Sequence, residues 1–178
     1  MPQESALTLP TPAQRSLRKY ELIQKLGHGA FAVVWKATSK ATRHTVAIKK
    51  LHAAYRKPAE ARMAYREILY LSELRGHDNI VWLQDVIESM DGRDLYLVLE
   101  YLQTDLFNVL QAKVLEERHK PFVLYQLLRA LLFLHSAQLV HRDVKASRAY
   151  PSRSSRSANS NRAQPRFAPA RPSHFNPV

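Results

Sequence analysis

The chain has 178 residues, of which 46 % are hydrophobic and 24 % are charged, a composition typical of a globular protein with one packed core. The absence of cysteine excludes disulfides, thiol nucleophiles and cysteine-based zinc sites, and the eight histidines lack the spacing of a metal-binding motif. No signal-peptide pattern and no membrane-spanning run of about 18 apolar residues is visible, so we expect a protein of the cytoplasm or nucleus.

Half of the net charge of +12 lies in the last 33 residues, which hold six arginines and no acidic residue or lysine. Because Ser, Pro, Ala and Asn dominate there, residues 146–178 are predicted to form a disordered tail, and the polar residues 1–17 a flexible leader. The arginines could bind nucleic acid or an acidic partner in a salt-dependent way. Few aromatic residues accompany them, so a solvated tail is the favoured interpretation.

Five strands are predicted from the alternation of apolar and polar residues and from enrichment in Val and Ile. Asp91-Gly92 predicts a turn before the last strand. A helix separates the third strand from the fourth, and further helices follow the fifth. This order predicts an α+β fold with a mainly antiparallel sheet. The strands cover residues 20–26, 31–37, 45–51, 80–87 and 95–100.

Three helices are predicted. Pro58 suits the first position of the first helix and Gly76 suits its C-terminal stop. The second covers residues 105–112 and the third covers 121–137. The third is apolar on more than one face, as is typical of a helix inside a larger domain, so in this chain its apolar surface should be exposed. The apolar stripe of the first helix comprises Met63, Ile68, Leu71 and Leu74.

A glycine-rich segment joins the first two strands. Glycine lets the backbone approach a phosphate closely, so that its N–H groups can donate hydrogen bonds to phosphate oxygens. Taken alone, two glycines in a hairpin favour a plain turn. The segment comprises Leu26, Gly27, His28, Gly29, Ala30, Phe31, Ala32, Val33 and Val34.

The third strand carries a candidate phosphate ligand. Side chains alternate along a strand, so Ala47 and Lys49 share one face, where a small residue leaves room for a flat base and a lysine can reach phosphates. Lys50 points the other way and is the weaker candidate. On the following helix, a buried Glu67 carboxylate facing Lys49 would hold the amine in place and keep it charged. A helix glutamate by itself is usually a surface residue.

These features resemble the protein kinase pattern of a glycine-rich loop, a strand lysine and a helix glutamate. His77 to Val81 resembles the loop that follows this helix in kinases, and His141 to Lys145 resembles the start of the catalytic loop. Within the family, residues 104–106 and 124–137 look like MAP kinases of the CMGC group. Val34 to Ala37 favours the atypical extracellular-signal-regulated branch.

The resemblance covers about residues 18–145 and implies a kinase N-lobe, which is a five-stranded sheet with one helix, followed by the first helices of the C-lobe. It implies that ATP is the ligand and that a protein serine or threonine is the phosphoryl acceptor. The glycine-rich segment would then cover the phosphates. The remaining nucleotide contacts implied are Ala47 at adenine, Lys49 at the α- and β-phosphates, Leu99 as gatekeeper, the Glu100 carbonyl and Leu102 N–H at adenine, and Asp105 at the ribose.

The catalytic roles implied by the resemblance fall on four residues. Lys49 would pair with Glu67. Asp143 would orient or deprotonate the substrate hydroxyl, and Lys145 would contact the transferring phosphate.

The sequence departs from the kinase pattern at the magnesium site. Arg148 stands where the family has a metal-binding Asn, and no Asp-Phe-Gly, Ala-Pro-Glu or Thr-x-Tyr follows within the 178 residues. Ala32 and Ala146 replace a loop glycine and a proline. Loss of the metal's charge stabilisation costs several kcal/mol of barrier, on the order of a thousandfold in rate. We therefore expect an incomplete and inactive kinase chain.

A non-catalytic module is the alternative to a kinase chain. It would be an ATP-binding pseudokinase, or a decoy that competes for a kinase's partners. Its exposed Leu-rich helix, at residues 121–137, would then be the docking surface. Nucleic acid and membrane are not expected as partners.

Overall fold

The computed structural model describes residues 17–29 and 32–146, so most of the predicted leader and tail lies outside the described residues. Five strands form one sheet in the order β1-β2-β3-β5-β4, and every neighbouring pair is antiparallel. With the helices that follow, this confirms the predicted α+β fold. The strands are β1 (Tyr20–His28), β2 (Ala32–Ser39), β3 (Thr45–Leu51), β4 (Leu83–Glu88) and β5 (Leu95–Glu100).

The fourth strand is shorter than predicted. The sequence pattern starts it at residue 80, but β4 begins at Leu83. The difference arises because the Ile80 N–H donates to the His77 carbonyl at 3.2 Å, so the chain is still turning there. The Trp82 carbonyl accepts a hydrogen bond from the Glu100 N–H at 2.9 Å. Residue 80 was therefore the wrong start, because a local turn takes the hydrogen bonds that a ladder would need.

The two faces of the sheet differ in what they carry. The outer face holds the larger core cluster, in which Ala37, Val46, Ile48, Tyr96 and Val98 pack together. Leu17 is 2 % exposed and joins this cluster, so it is part of the folded unit although the sequence assigned it to the leader. The opposite face, called the cleft face below, carries Val34, Ala47, Lys49 and Leu99.

The first helix, α1 (Pro58–Glu73), begins with Pro58 as predicted and is followed by Gly76 with a φ of +102°. It packs on the cleft face through Ala64, which is buried with Ala54 and Leu95. Ile68 lies one turn further on the same side of α1 and packs against the same cluster.

Met63 was wrongly predicted as part of the α1 stripe, because it is 63 % exposed. The small side chain of Ala64 allows close approach to the sheet, and this turns its neighbour Met63 away.

Two further helices follow the sheet. They are α2 (Leu106–Gln111) and α3 (Lys120–Ser136), with a single 3-10 turn at Glu117–His119 before α3. In α3 only Ala130 and Leu134 are buried. No helix among the described residues is long and apolar enough to cross a membrane. The predicted exposed apolar surface is present on α3, and it comprises Phe122, Leu124, Tyr125, Leu128 and Leu132.

Candidate active site

Lys49 and Glu67 form a bidentate ion pair between β3 and α1. The Lys49 Nζ atom lies 2.6 Å from Oε1 and 2.8 Å from Oε2 of Glu67. The two side chains are 27 % and 33 % exposed, so the carboxylate is half-buried rather than buried as predicted. Because both carboxylate oxygens accept from one amine, the amine is fixed in position while part of it stays accessible to a ligand.

The side chain of Lys50 lies on the outer face, as strand alternation predicts. It is 7 % exposed and pairs with Asp94 instead of any residue of α1. The structure therefore separates the two adjacent lysines, and only Lys49 faces the cleft.

The glycine-rich hairpin is closed by backbone hydrogen bonding. Gly27 pairs with Val34 across the two strands, and the Gly29 N–H donates to the Ala32 carbonyl at 2.8 Å. A Cβ atom added at Gly27 would meet no atom within 4 Å, which means that the hairpin itself does not require this glycine. Open space beside the backbone at this point is what a phosphate would need. Ala30 and Phe31 lie outside the described residues.

The candidate base site lies where β3 and β5 run side by side. Ala47 is paired with Leu99 across the two strands, and Leu99 is paired with Leu83 of β4. Glu100 and Leu102 are half-buried at the end of β5. The hydrogen bond from the Glu100 N–H to the Trp82 carbonyl anchors this end of the strand. The predicted base contacts are thus brought to one edge of the cleft face.

Asp105 has a structural task in addition to its predicted one. Its Oδ1 atom accepts a hydrogen bond from the Asn108 N–H at 2.8 Å and so caps the N-terminus of α2. One carboxylate oxygen is therefore engaged, although a carboxylate offers about four acceptor sites in all.

The catalytic-loop candidates lie close to each other. The Lys145 Nζ atom is 3.6 Å from Asp143 Oδ1, and the two side chains are 52 % and 45 % exposed. The Asp143 N–H donates to Nδ1 of His141 at 3.2 Å, and Arg142 between them has a φ of +62°. A non-glycine residue in the left-handed region costs free energy, which local structure such as this hydrogen bond has to offset.

Comparison with known proteins agrees with this geometry. A sequence model of the protein kinase domain matches residues 20–148. The chain belongs to the protein kinase family. The relatives that match it place it among MAP-kinase-like kinases of the CMGC group, whereas the branch within that group stays a prediction.

Several named kinases are similar to this kinase chain. Extracellular signal-regulated kinase 2 of Dictyostelium discoideum is 51 % identical over 131 residues, which are 74 % of this chain and 36 % of that protein. Mitogen-activated protein kinase 15 of Rattus norvegicus is 46 % identical over 72 % of this chain and 24 % of its own length. Extracellular signal-regulated kinase 7 of Drosophila melanogaster is 43 % identical over 72 % of this chain and 14 % of its own length. The chain therefore spans about a third or less of these relatives.

One position of this kinase chain does not fit the magnesium ions that kinases use. Arg148 stands at the position of the metal-binding Asn, and a guanidinium is a donor with no lone pair for a cation.

One pair of residues at this site was not predicted. Lys36 of β2 lies with its Nζ atom 5.0 Å from the centroid of the Tyr101 ring. Alternation from Val34 could have placed Lys36 on the cleft face. Its aromatic partner could not be found without the order of the strands.

Proposed function

We propose that this chain binds ATP in the cleft of a serine/threonine protein kinase of MAP-kinase type. The observation that carries the proposal is the bidentate contact between Lys49 and Glu67. A carboxylate that accepts from the amine at hydrogen-bonding distance holds and aims it, as binding of the α- and β-phosphates requires. The open space beside the Gly27 backbone supports the phosphate site. The pairing of Ala47 with Leu99 supports the base site.

In a complete kinase, Asp143 would orient the hydroxyl of the substrate protein and accept its proton. Lys145, 3.6 Å away, would contact the phosphoryl group while it moves from ATP to that oxygen. ATP supplies the phosphoryl group. The contributions of these two residues are proton acceptance and electrostatic stabilisation, which are the main protein terms in this reaction.

We propose further that this 178-residue chain binds ATP without transferring its phosphate. Arg148 can neutralise phosphate charge but cannot hold a metal in place of Asn. The exposed apolar surface of α3 is the observation that favours the second candidate function, a binding module that competes for a kinase's partners.

The binding proposal is tested by thermal unfolding of the whole chain with and without Mg-ATP. ATP at about a hundred times its dissociation constant should stabilise the parent by about 2.7 kcal/mol, which raises Tm by several degrees. Lys49→Met should abolish the rise. Lys40→Met in the exposed β2–β3 turn is the matched control and should keep it. An equal rise in Lys49→Met would contradict the proposed site.

Radiolabel transfer to a generic acceptor protein tests the second part of the proposal. We expect no transfer by the parent above the level of Asp143→Asn. Transfer by the parent that is lost in Asp143→Asn would show that the chain is an active kinase. The inactive assignment would then be wrong, whereas the nucleotide site would stand.

A further inference from the structure

The side-chain ammonium group of Lys36 lies against an aromatic ring, whereas most lysines contact water or a carboxylate. Its Nζ atom lies 5.0 Å from the centroid of the Tyr101 ring, within the distance of about 6 Å at which a cation is attracted to a π face. In the described part of the chain, no carboxylate forms an ion pair with Lys36. Both residues are half-buried, which strengthens the attraction over that at a fully solvated site.

The contact lies on the cleft face next to the candidate base site. Strand register pairs Lys36 with Ala47, and Ala47 with Leu99, so all three lie in one row across the sheet. Tyr101 directly follows the last residue of β5, and its contact with Lys36 brings its ring to this row. Trp35 and Ala37, the neighbours of Lys36, are buried on the outer face.

The contact connects two segments that the backbone does not join. Lys36 belongs to β2, the second strand of the glycine-rich hairpin, while Tyr101 begins the segment after β5. β3 lies between β2 and β5, so no ladder hydrogen bonds run directly from the hairpin strand to this segment. The Lys36 side chain therefore reaches past β3, in which Ala47 is its register partner, to the Tyr101 ring.

We propose that Lys36 and Tyr101 form a brace that sets the width of the slot for the adenine base. The brace ties β2, the second strand of the glycine-rich hairpin, to the segment after β5. It thereby fixes the distance between this hairpin and the backbone of Glu100 and Leu102. Lys36 acts through Tyr101 and is a positioning residue. This inference rests on the proposed ATP site and adds to it a pair that selects for the base rather than for the phosphates.

The test compares ATP with inorganic tripolyphosphate, which has the phosphates but no base. Both dissociation constants are measured on the whole chain, by calorimetry for ATP and by competition for tripolyphosphate. Lys36→Met and Tyr101→Leu should each weaken ATP binding about two- to fivefold, the fold-change that corresponds to a cation–π contact at a partly exposed site. Tripolyphosphate binding should not change, because the hairpin and Lys49 hold it.

Conservative variants and a double variant complete the test. Lys36→Arg keeps the cation and Tyr101→Phe keeps the ring, so both should bind ATP like the parent. The double variant Lys36→Met/Tyr101→Leu should be no weaker than the weaker single variant, because the two residues share one contact. Lys40→Met in the exposed turn is the matched lysine control. Urea unfolding of every variant identifies any that fails to fold.

Three results would overturn the brace. These are unchanged ATP binding in both single variants, equal weakening of ATP and tripolyphosphate, and additive losses in the double variant. A parent chain that binds no ATP, or one whose binding survives Lys49→Met, would instead refute the proposed ATP site. The brace would then fail together with the ATP site. The Lys49→Met result therefore distinguishes failure of the ATP site from failure of the brace alone.

Discussion

Lys50 and Asp94 form an ion pair on the outer face of the sheet, with 2.6 Å between Nζ and Oδ2. Their side chains are 9 % and 18 % exposed, and the other oxygen of Asp94 accepts a hydrogen bond from the Ala53 N–H at 2.9 Å. Lys49, the preceding residue, pairs with α1 on the opposite face. Two adjacent lysines therefore have different partners: Lys50 pairs with Asp94 on the outer face, and Lys49 pairs with Glu67 on the cleft face.

The first prediction is that Asp94→Ala lowers the free energy of unfolding by roughly 3 kcal/mol. The variant leaves a shielded ammonium group without its counter-charge, and such losses are large. Asp78→Ala, which removes an exposed aspartate, should cost less than about 0.5 kcal/mol. Urea unfolding measures both. Equal unfolding midpoints for the two variants would show that the Lys50–Asp94 pair contributes nothing.

The second prediction concerns Tyr96, which is completely buried. Its hydroxyl oxygen has no hydrogen-bond partner among the described residues. Burial, followed by the charges of Asp94 and Asp91, raises the pKa of Tyr96 to about 12 from 10.0. Between these values the unfolded chain has lost a proton that the folded chain keeps, so stability falls as pH rises through this window.

Tyr96→Phe should remove the part of the stability loss at alkaline pH that the Tyr96 hydroxyl causes. At neutral pH the variant should be as stable as the parent or about 1 kcal/mol more stable, because an unsatisfied buried hydroxyl is removed. Urea unfolding at about pH 9 and about pH 11 measures the difference, with the exposed Tyr65→Phe as the control. A parent and a Tyr96→Phe variant that lose stability equally over this range would rule out the raised pKa.

The third prediction concerns the stacked rings of His77 and Phe133, whose centroids are 4.6 Å apart with an interplanar angle of 18°. The stack joins the loop after α1 to α3. His77→Ala and Phe133→Leu should show a coupling free energy of about 1 kcal/mol in a double-mutant cycle. Leu132→Ala, on the exposed side of the same helix, should couple to neither. Additive effects of His77→Ala and Phe133→Leu would mean that the stack does not hold α3.

Features set by local alternation could be predicted from the sequence. That Lys49 and Lys50 face opposite sides of the sheet follows from strand period alone. Pro58 and Gly76 likewise bracket the α1 region because each has a strong local backbone preference. These are positions where neighbours in the chain decide the conformation.

Features set by the packing of distant segments could not be predicted so well. Met63 looked like a core residue, but the close approach of α1 at Ala64 decides which side of the helix is buried. The contact of Lys36 with Tyr101 depends on β3 lying between their strands, which no local pattern encodes. Glu67 was placed on the right helix, although its bidentate geometry depends on where α1 sits above the sheet.

The fourth prediction separates the two tasks of Asp105. Asp105→Ser should keep α2 capped and leave urea unfolding nearly unchanged, whereas Asp105→Ala should cost about 1 kcal/mol. Serine is too short to replace the carboxylate at a ribose. If Asp105 also binds the ribose, the serine variant should bind ATP roughly two- to tenfold more weakly, as expected for one lost hydrogen bond.

Deoxygenated nucleotides show whether that loss belongs to the ribose. The parent should prefer ATP over an analogue without ribose hydroxyls, and Asp105→Ser should bind the two equally, because the group that distinguishes them is gone. Asn108→Ala, which changes the side chain but not the capped N–H, is the control within α2. If Asp105→Ser keeps the parent's preference for ATP, Asp105 acts as the cap of α2 alone, and another residue recognises the sugar.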